Sequence, residues 1–201
     1  MTKFDGAKLD TSNVTSLDST FAYCSKLTNL DSISGWDTSE VTLLSSTFLS
    51  CRRLTNLDLS GWNTSKVTSL SRTFDNCGGL TNLDSISGWD TSRVKSLSST
   101  FRNCSKLTNL NLSGWNTSKV TNASYCFMNC NNLAIISVGD SWKWLKDGYL
   151  PTPSSSYIAG ADGSWYAESD GAGYASNAAP SNKAETYYAS KALRDAAVGA
   201  A

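Results

Sequence analysis

The chain contains no histidine. That removes the commonest general base and the commonest metal ligand. Charge is sparse at 17% of residues, and 17 Lys+Arg balance 17 Asp+Glu to a net charge of zero. Without a basic excess there is no bulk attraction to nucleic acid or to an anionic membrane. No apolar run approaches the length of a membrane-spanning helix, so no membrane insertion is expected. The opening "MTKFDGAKLD" lacks the apolar core of a signal peptide and starts inside a repeat, as a fragment of a longer protein would. Nucleophile elbow, P-loop and G-x-G-x-x-G are also missing, and the carboxylates sit in repeated turn slots. The expectation is a non-enzyme with no cofactor and no metal.

What is abundant is Ser, Thr and Asn, a composition suited to repeated turns and hydrogen-bonded ladders. "LTNLDLSGWNTSKV" at 54–67 returns as "LTNLNLSGWNTSKV" at 107–120 and, one residue longer, as "LTNLDSISGWDTSRV" at 80–94. Trp36, Trp62, Trp89 and Trp115 are spaced by 26, 27 and 26 residues; Cys24, Cys51, Cys77, Cys104 and Cys130 by 27, 26, 27 and 26. A fixed period in this range marks units that bury their apolar side against their neighbours. The spacing therefore predicts a mainly β solenoid of about five turns. Inward columns would be formed by those Trp and Cys residues and by Phe21, Phe48, Phe74, Phe101 and Phe127. Leu57 and Leu59 alternate as on a half-buried strand. The longer copies "LDSISGW" carry one extra residue, expected to be absorbed as a β-bulge with Ile33 and Ile86 in the inward place of Leu59 and Leu112.

The motif "TFxxCxxLTxLDLSGWxTSxVTSL" resembles the 26-residue repeat of bacterial surface proteins and surface lipoproteins. It is similar to the leucine-rich repeats of BspA-like surface antigens. The resemblance covers residues 5–140. It implies a right-handed leucine-rich-repeat-like solenoid on the outside of a bacterium, and an adhesion or interaction module without catalytic residues. In related repeats Phe often stands at the Trp position, which favours a buried role for it. The chain departs from the pattern at Leu17, Leu44, Leu70 and Leu97 and at Thr20, Thr47, Thr73 and Thr100, where many copies have Met.

Each polar or reactive column has a structural and a functional reading. The cysteine column reads as free buried thiols, because partners up and down a stack lie too far apart to bridge; Cys126, outside the column, is the candidate for local pairing. Asp10, Asp37, Asn63, Asp90 and Asn116, with Asp31, Asp58, Asp84 and Asn111, read as turn caps rather than calcium ligands. The threonine columns (Thr11, Thr38, Thr64, Thr91, Thr117 and Thr28, Thr55, Thr81, Thr108) read as hydroxyl ladders bonding neighbour to neighbour. They lack the Thr-x-Thr pairs of ice binders. One variable slot holds Asn13, Glu40, Lys66, Arg93 and Lys119, and Lys66, Arg93 and Lys119 are the candidate contacts for an anionic glycan or acidic partner.

The expected organisation is a repeat array over 1–138 with a partial first turn at 1–9, an aromatic cap over 139–188 and an Ala-rich tail at 189–201. After Val138 the period is expected to stop. Trp142, Trp144 and Trp165 would cover the apolar end, and "DGSWYAESDGAGY" reads as a hairpin. "WLKDG" and "GSWYAESDGA" faintly resemble cell-wall-binding repeats. Function is expected to be adhesion or protein/glycan interaction at an extracellular bacterial surface, with an unidentified protein or glycan on a host or neighbouring cell as partner. The alternatives are a structural stalk, or carbohydrate binding through the C-terminal aromatics.

Overall fold

Two turns flank every core phenylalanine. Thr20 N–H donates to the Leu17 carbonyl at 3.2 Å and Cys24 N–H to the Phe21 carbonyl at 3.1 Å, with Ser19 (φ 57°) and Tyr23 (φ 61°) at the third turn position. A positive φ there is the type II signature. The pattern recurs at Ser46 and Ser50, Arg72 and Asn76, Ser99 and Asn103, and Tyr125 and Asn129. Short polar side chains tolerate this left-handed conformation better than most, which accounts for the prevalence of Ser and Asn. The turns leave alternate N–H groups free to reach the next repeat. Leu17, Ser19, Phe21 and Tyr23 donate to the carbonyls of Leu43, Ser45, Thr47 and Leu49 at 2.6–3.0 Å.

The computed structural model describes residues 2–145 and 148–199. Within them each repeat lies beside the next: parallel bridges run Ser16–Leu43–Ser69–Ser96–Asn122. The interior is one continuous apolar cluster. Phe21, Phe48, Phe74, Phe101 and Phe127 stack with centroids 5.6–5.8 Å apart, and Trp36, Trp62, Trp89 and Trp115 stack at 6.3–6.4 Å with planes within 7°. Offset parallel stacking suits the ring quadrupoles. Each of these tryptophans also donates Nε1–H to a preceding carbonyl: Trp36 to Gly6, Trp62 to Ile33, Trp89 to Leu59 and Trp115 to Ile86.

Strand is scarcer than the mainly β expectation, at 13% of the chain. β1 (Asn109–Leu112) and β2 (Ile135–Val138) pair in parallel. The expected bulges are instead short 3-10 turns at Asp31–Ile33 and Asp84–Ile86. Ile33 and Ile86 do reach the inward place and are fully buried. A 3-10 turn folds its carbonyls back on itself, so it cannot ladder with the alternating stretches on either side. Two extended stretches adjoin only at 109–112 and 135–138, and there the ladder forms.

β2 does not end the sheet. β5 (Glu185–Tyr188) pairs with it antiparallel, β3 (Ser164–Ala167) pairs with β5, and β4 (Gly173–Ala175) closes the order β1-β2-β5-β3-β4. β3 and β4 are the hairpin read from the sequence. A helix, α1 (Lys191–Gly199), follows in the Ala-rich tail. The period runs one step beyond Val138: Trp142 lies 27 residues after Trp115, and its N–H donates to Gly139 as that of Trp115 does to Leu112. Trp142 and Trp144 pack on Phe127 with centroids at 6.4 and 6.3 Å. Trp165 is fully buried in β3 and donates Nε1–H to the Pro151 carbonyl at 2.9 Å.

Candidate interaction face

The inward columns take no part in contacts with a partner. Cys51, Cys77, Cys104 and Cys130 are buried free thiols, Cys24 is half-buried, and Cys126 is free and buried. Each fully buried column thiol donates to a phenylalanine carbonyl one repeat back: Cys51 to Phe21, Cys77 to Phe48, Cys104 to Phe74 and Cys130 to Phe101, at 2.9–3.2 Å. Burial pushes these thiols up, Cys51 and Cys130 to about 12 and Cys77 and Cys104 well above the ordinary value. They are poor nucleophiles. Cys126 occupies the slot of Thr47, Thr73 and Thr100 in the earlier repeats, and burial raises it as well.

The acidic columns make turns. Asp10, Asp37, Asn63, Asp90 and Asn116 each accept the N–H two residues on, at 2.9–3.0 Å. Asp58 and Asn111 do the same in the second column. Asp31 and Asp84 do not: in the longer copies Asn29 and Asn82 accept the N–H of Asp31 and Asp84 instead. Side-chain and backbone donors hold four carboxyls below the usual range: the Ser12 hydroxyl and N–H for Asp10, the Ser39 N–H for Asp37, the Ser60 N–H for Asp58 and the Ser92 hydroxyl for Asp90.

Threonine hydroxyls bond to backbone rather than to one another. Thr38, Thr64 and Thr91 donate to the carbonyls of Asn63, Asp90 and Asn116 in the following repeat. Thr28 and Thr81 donate to Thr2 and Thr55. A carbonyl in each neighbouring repeat lies within reach, so the hydroxyl fills that acceptor before it meets another hydroxyl. The hydroxyl-to-hydroxyl contacts in the array belong to serines instead: Ser45 to Ser69 at 2.8 Å and Ser71 to Ser96 at 2.7 Å.

Solvent receives what remains. Arg93 and Lys119 are exposed in the slot that the sequence singled out. Lys66 is half-buried and paired with Glu40 at 2.6 Å, so part of its charge is spent within the array. Of the neighbouring cations, Lys95 and Arg72 are exposed, whereas Arg102 Nε is held by buried Asp75 at 3.0 Å. Missed in the sequence is a groove of about 410 Å³ between the last repeat and the segment from Tyr149 to Thr152, with Tyr125, Met128 and Tyr149 exposed at its rim. Its signal was Tyr125, a bulky side chain in a slot that holds serine in three other repeats. Of the "WLKDG" stretch, Lys146 and Asp147 lie outside the described residues.

A family model described as a Mycoplasma protein of unknown function, DUF285, matches residues 2–84 and again 58–144. No curated protein and no solved structure matches the chain.

Proposed function

Because the chain belongs to the DUF285 family of Mycoplasma proteins of unknown function, we propose that it is a non-enzymatic interaction module at the bacterial surface, a right-handed leucine-rich-repeat-like solenoid that binds a protein or glycan on a host or neighbouring cell. One observation carries the reading. The interior is committed repeat by repeat to the same contacts, and among the outward slots that vary one changes charge from repeat to repeat: Asn13, Glu40, Lys66, Arg93 and Lys119. Such a row offers different chemistry at a fixed interval, which is how repeat proteins build extended binding surfaces. Carbohydrate binding near the C-terminal aromatics is the second reading, favoured by the tyrosine-rimmed groove.

The test is a glycan and protein array probed with the full chain and with the triple variant Lys66→Glu, Arg93→Glu, Lys119→Glu. The variant removes the Lys66–Glu40 pair and sets like charges in neighbouring repeats, so its folding is checked by thermal melting before its binding is read. Loss of array binding in the variant supports the cationic row. Binding that persists points to the groove. A blank array for the unaltered chain supports a stalk that only spaces other domains.

A further inference from the structure

Through the turn segments the hydrogen bonds between repeats run one way, while beside them Thr42, Thr68, Lys95 and Thr121 donate the other way, to the carbonyls of Thr15, Thr42, Thr68 and Lys95. Ser99, Phe101 and Asn103 donate to the carbonyls of Ser124, Cys126 and Met128 at 2.8–2.9 Å, and the earlier repeats repeat the pattern. At the far end the equivalent N–H groups of Tyr125, Phe127 and Asn129 meet no acceptor among the described residues. At the other end the carbonyls of Asp18, Thr20 and Ala22 meet no donor among them. The turn-segment peptide units, aligned head to tail through five repeats, put partial positive charge at the N–H row, as the turns of a helix do at its N-terminus.

The groove of about 410 Å³ lies along that row. The segment from Tyr149 to Thr152 crosses it without filling it, because the Pro151 carbonyl is turned away to Trp165 Nε1. Beside the row the groove is lined by Met128, Asn131, Tyr149 and Thr152, and none of its lining among the described residues is charged. Tyr125 stands where Ser19, Ser46 and Ser99 stand in other repeats, holds φ at 61°, and is 59% exposed. A tyrosine ring in water on a left-handed backbone gains nothing for the fold.

We propose that this groove binds an acidic sugar. The carboxylate and its neighbouring ring oxygens accept from the Tyr125, Phe127 and Asn129 N–H groups, and the ring packs against Tyr125 and Tyr149. A polyanion does not fit the chemistry, since among the described residues no Lys or Arg lines the groove to neutralise several charges. A wholly neutral sugar leaves the positive end of the ladder uncompensated. A further repeat does not fit the space, because Tyr149–Thr152 occupies part of it. The inference rests on the reading of the chain as an interaction module and gives that module a ligand class.

The test is an amide-resonance titration of the full chain with sodium glucuronate, glucose and sodium acetate in parallel. Glucuronate shifts the Tyr125, Phe127 and Asn129 amides saturably; glucose, with the ring but no carboxylate, and acetate, with the carboxylate but no ring, each bind about tenfold or more weakly. Tyr125→Ser, which restores the residue of the other repeats, weakens glucuronate about tenfold. Absence of shifts, or equal response to glucose, overturns the proposal. So does a shift of the same amides on raising protein concentration without sugar, which would mean that carbonyls of a second copy fill the row. Lys66→Glu, Arg93→Glu, Lys119→Glu leaves glucuronate binding intact. If glucuronate fails while that triple variant loses array binding, the groove falls and the module reading stands; if glucuronate binds while the triple variant keeps its array binding, the groove stands and the cationic row falls.

Discussion

Cysteine in this array is a hydrogen-bonding core residue. Its thiol is small enough for the close-packed core and still reaches a phenylalanine carbonyl one repeat back, a bond that an alanine would lose. Reactivity follows from exposure and thiolate fraction. With a charged thiol reagent at about pH 8, Cys24 is expected to label in the folded protein and the other five only on unfolding; stoichiometric labelling of two or more thiols without denaturant would contradict the buried column. The glycines divide in the same local way. A Cβ built on Gly114 lies 2.4 Å from the Ser87 carbonyl oxygen and one on Gly61 lies 2.6 Å from that of Ser34, whereas Gly35 and Gly88 have nothing within 4 Å.

That difference belongs to the elements. Gly61 and Gly114 of the shorter copies and Gly139 of the last copy lie against the Ser34, Ser87 and Ser113 carbonyls of the preceding copy, long or short, so the close approach belongs to the copies without a 3-10 turn, and Gly35 and Gly88 of the copies with one are open. Gly114→Ala is therefore expected to cost about 1–3 kcal/mol, as overpacking against backbone does, and Gly88→Ala to stay within about 0.5 kcal/mol. Chemical denaturation of the two variants side by side checks this; equal midpoints would remove the close approach from the account. The 26/27 alternation was legible as a number, and the inward place of Ile33 and Ile86 was legible from the apolar pattern. The 3-10 turn was not. The extra residue can bulge or coil, and the choice rests on Asn29 and Asn82 accepting the turn's first N–H, a contact that spacing alone does not distinguish from another exposed asparagine.

Over the whole molecule, stability is spread across many like contacts, so it responds to pH as a sum. Asp10, Asp37, Asp58 and Asp90 have carboxyls lowered by turn hydrogen bonds. A lowered folded value means that the contribution is fully present above the unfolded value. It is lost as pH falls from about 4 through the folded values. The melting temperature is expected to drop over that window. The quadruple variant Asp10→Asn, Asp37→Asn, Asp58→Asn, Asp90→Asn keeps the acceptor, as Asn63 and Asn116 do, and flattens the profile; an unchanged slope would place the acid sensitivity elsewhere. The ends of the array differ for a related reason. β5 covers the edge of β2, with Glu185 tied to Ser169 and Lys183, while the donor row in the turn segment of the last repeat meets no acceptor among the described residues.

The sequence by itself determined which side chains point inward, because a 26- or 27-residue period places Phe, Cys and Trp in columns whatever path the backbone takes between them. It also marked the Asx turns, since Asp and Asn exchange freely only where one oxygen is needed, and it marked the β3–β4 hairpin. The tertiary structure decided what depends on a neighbour's backbone: the thiol and threonine acceptors, the pairing of Lys66 with Glu40, and the seating of Trp142 on Phe127. It decided above all the polarity of the ladder. Every residue of the chain but proline carries both an N–H and a C=O, and only the path of the next repeat fixes which of them are answered.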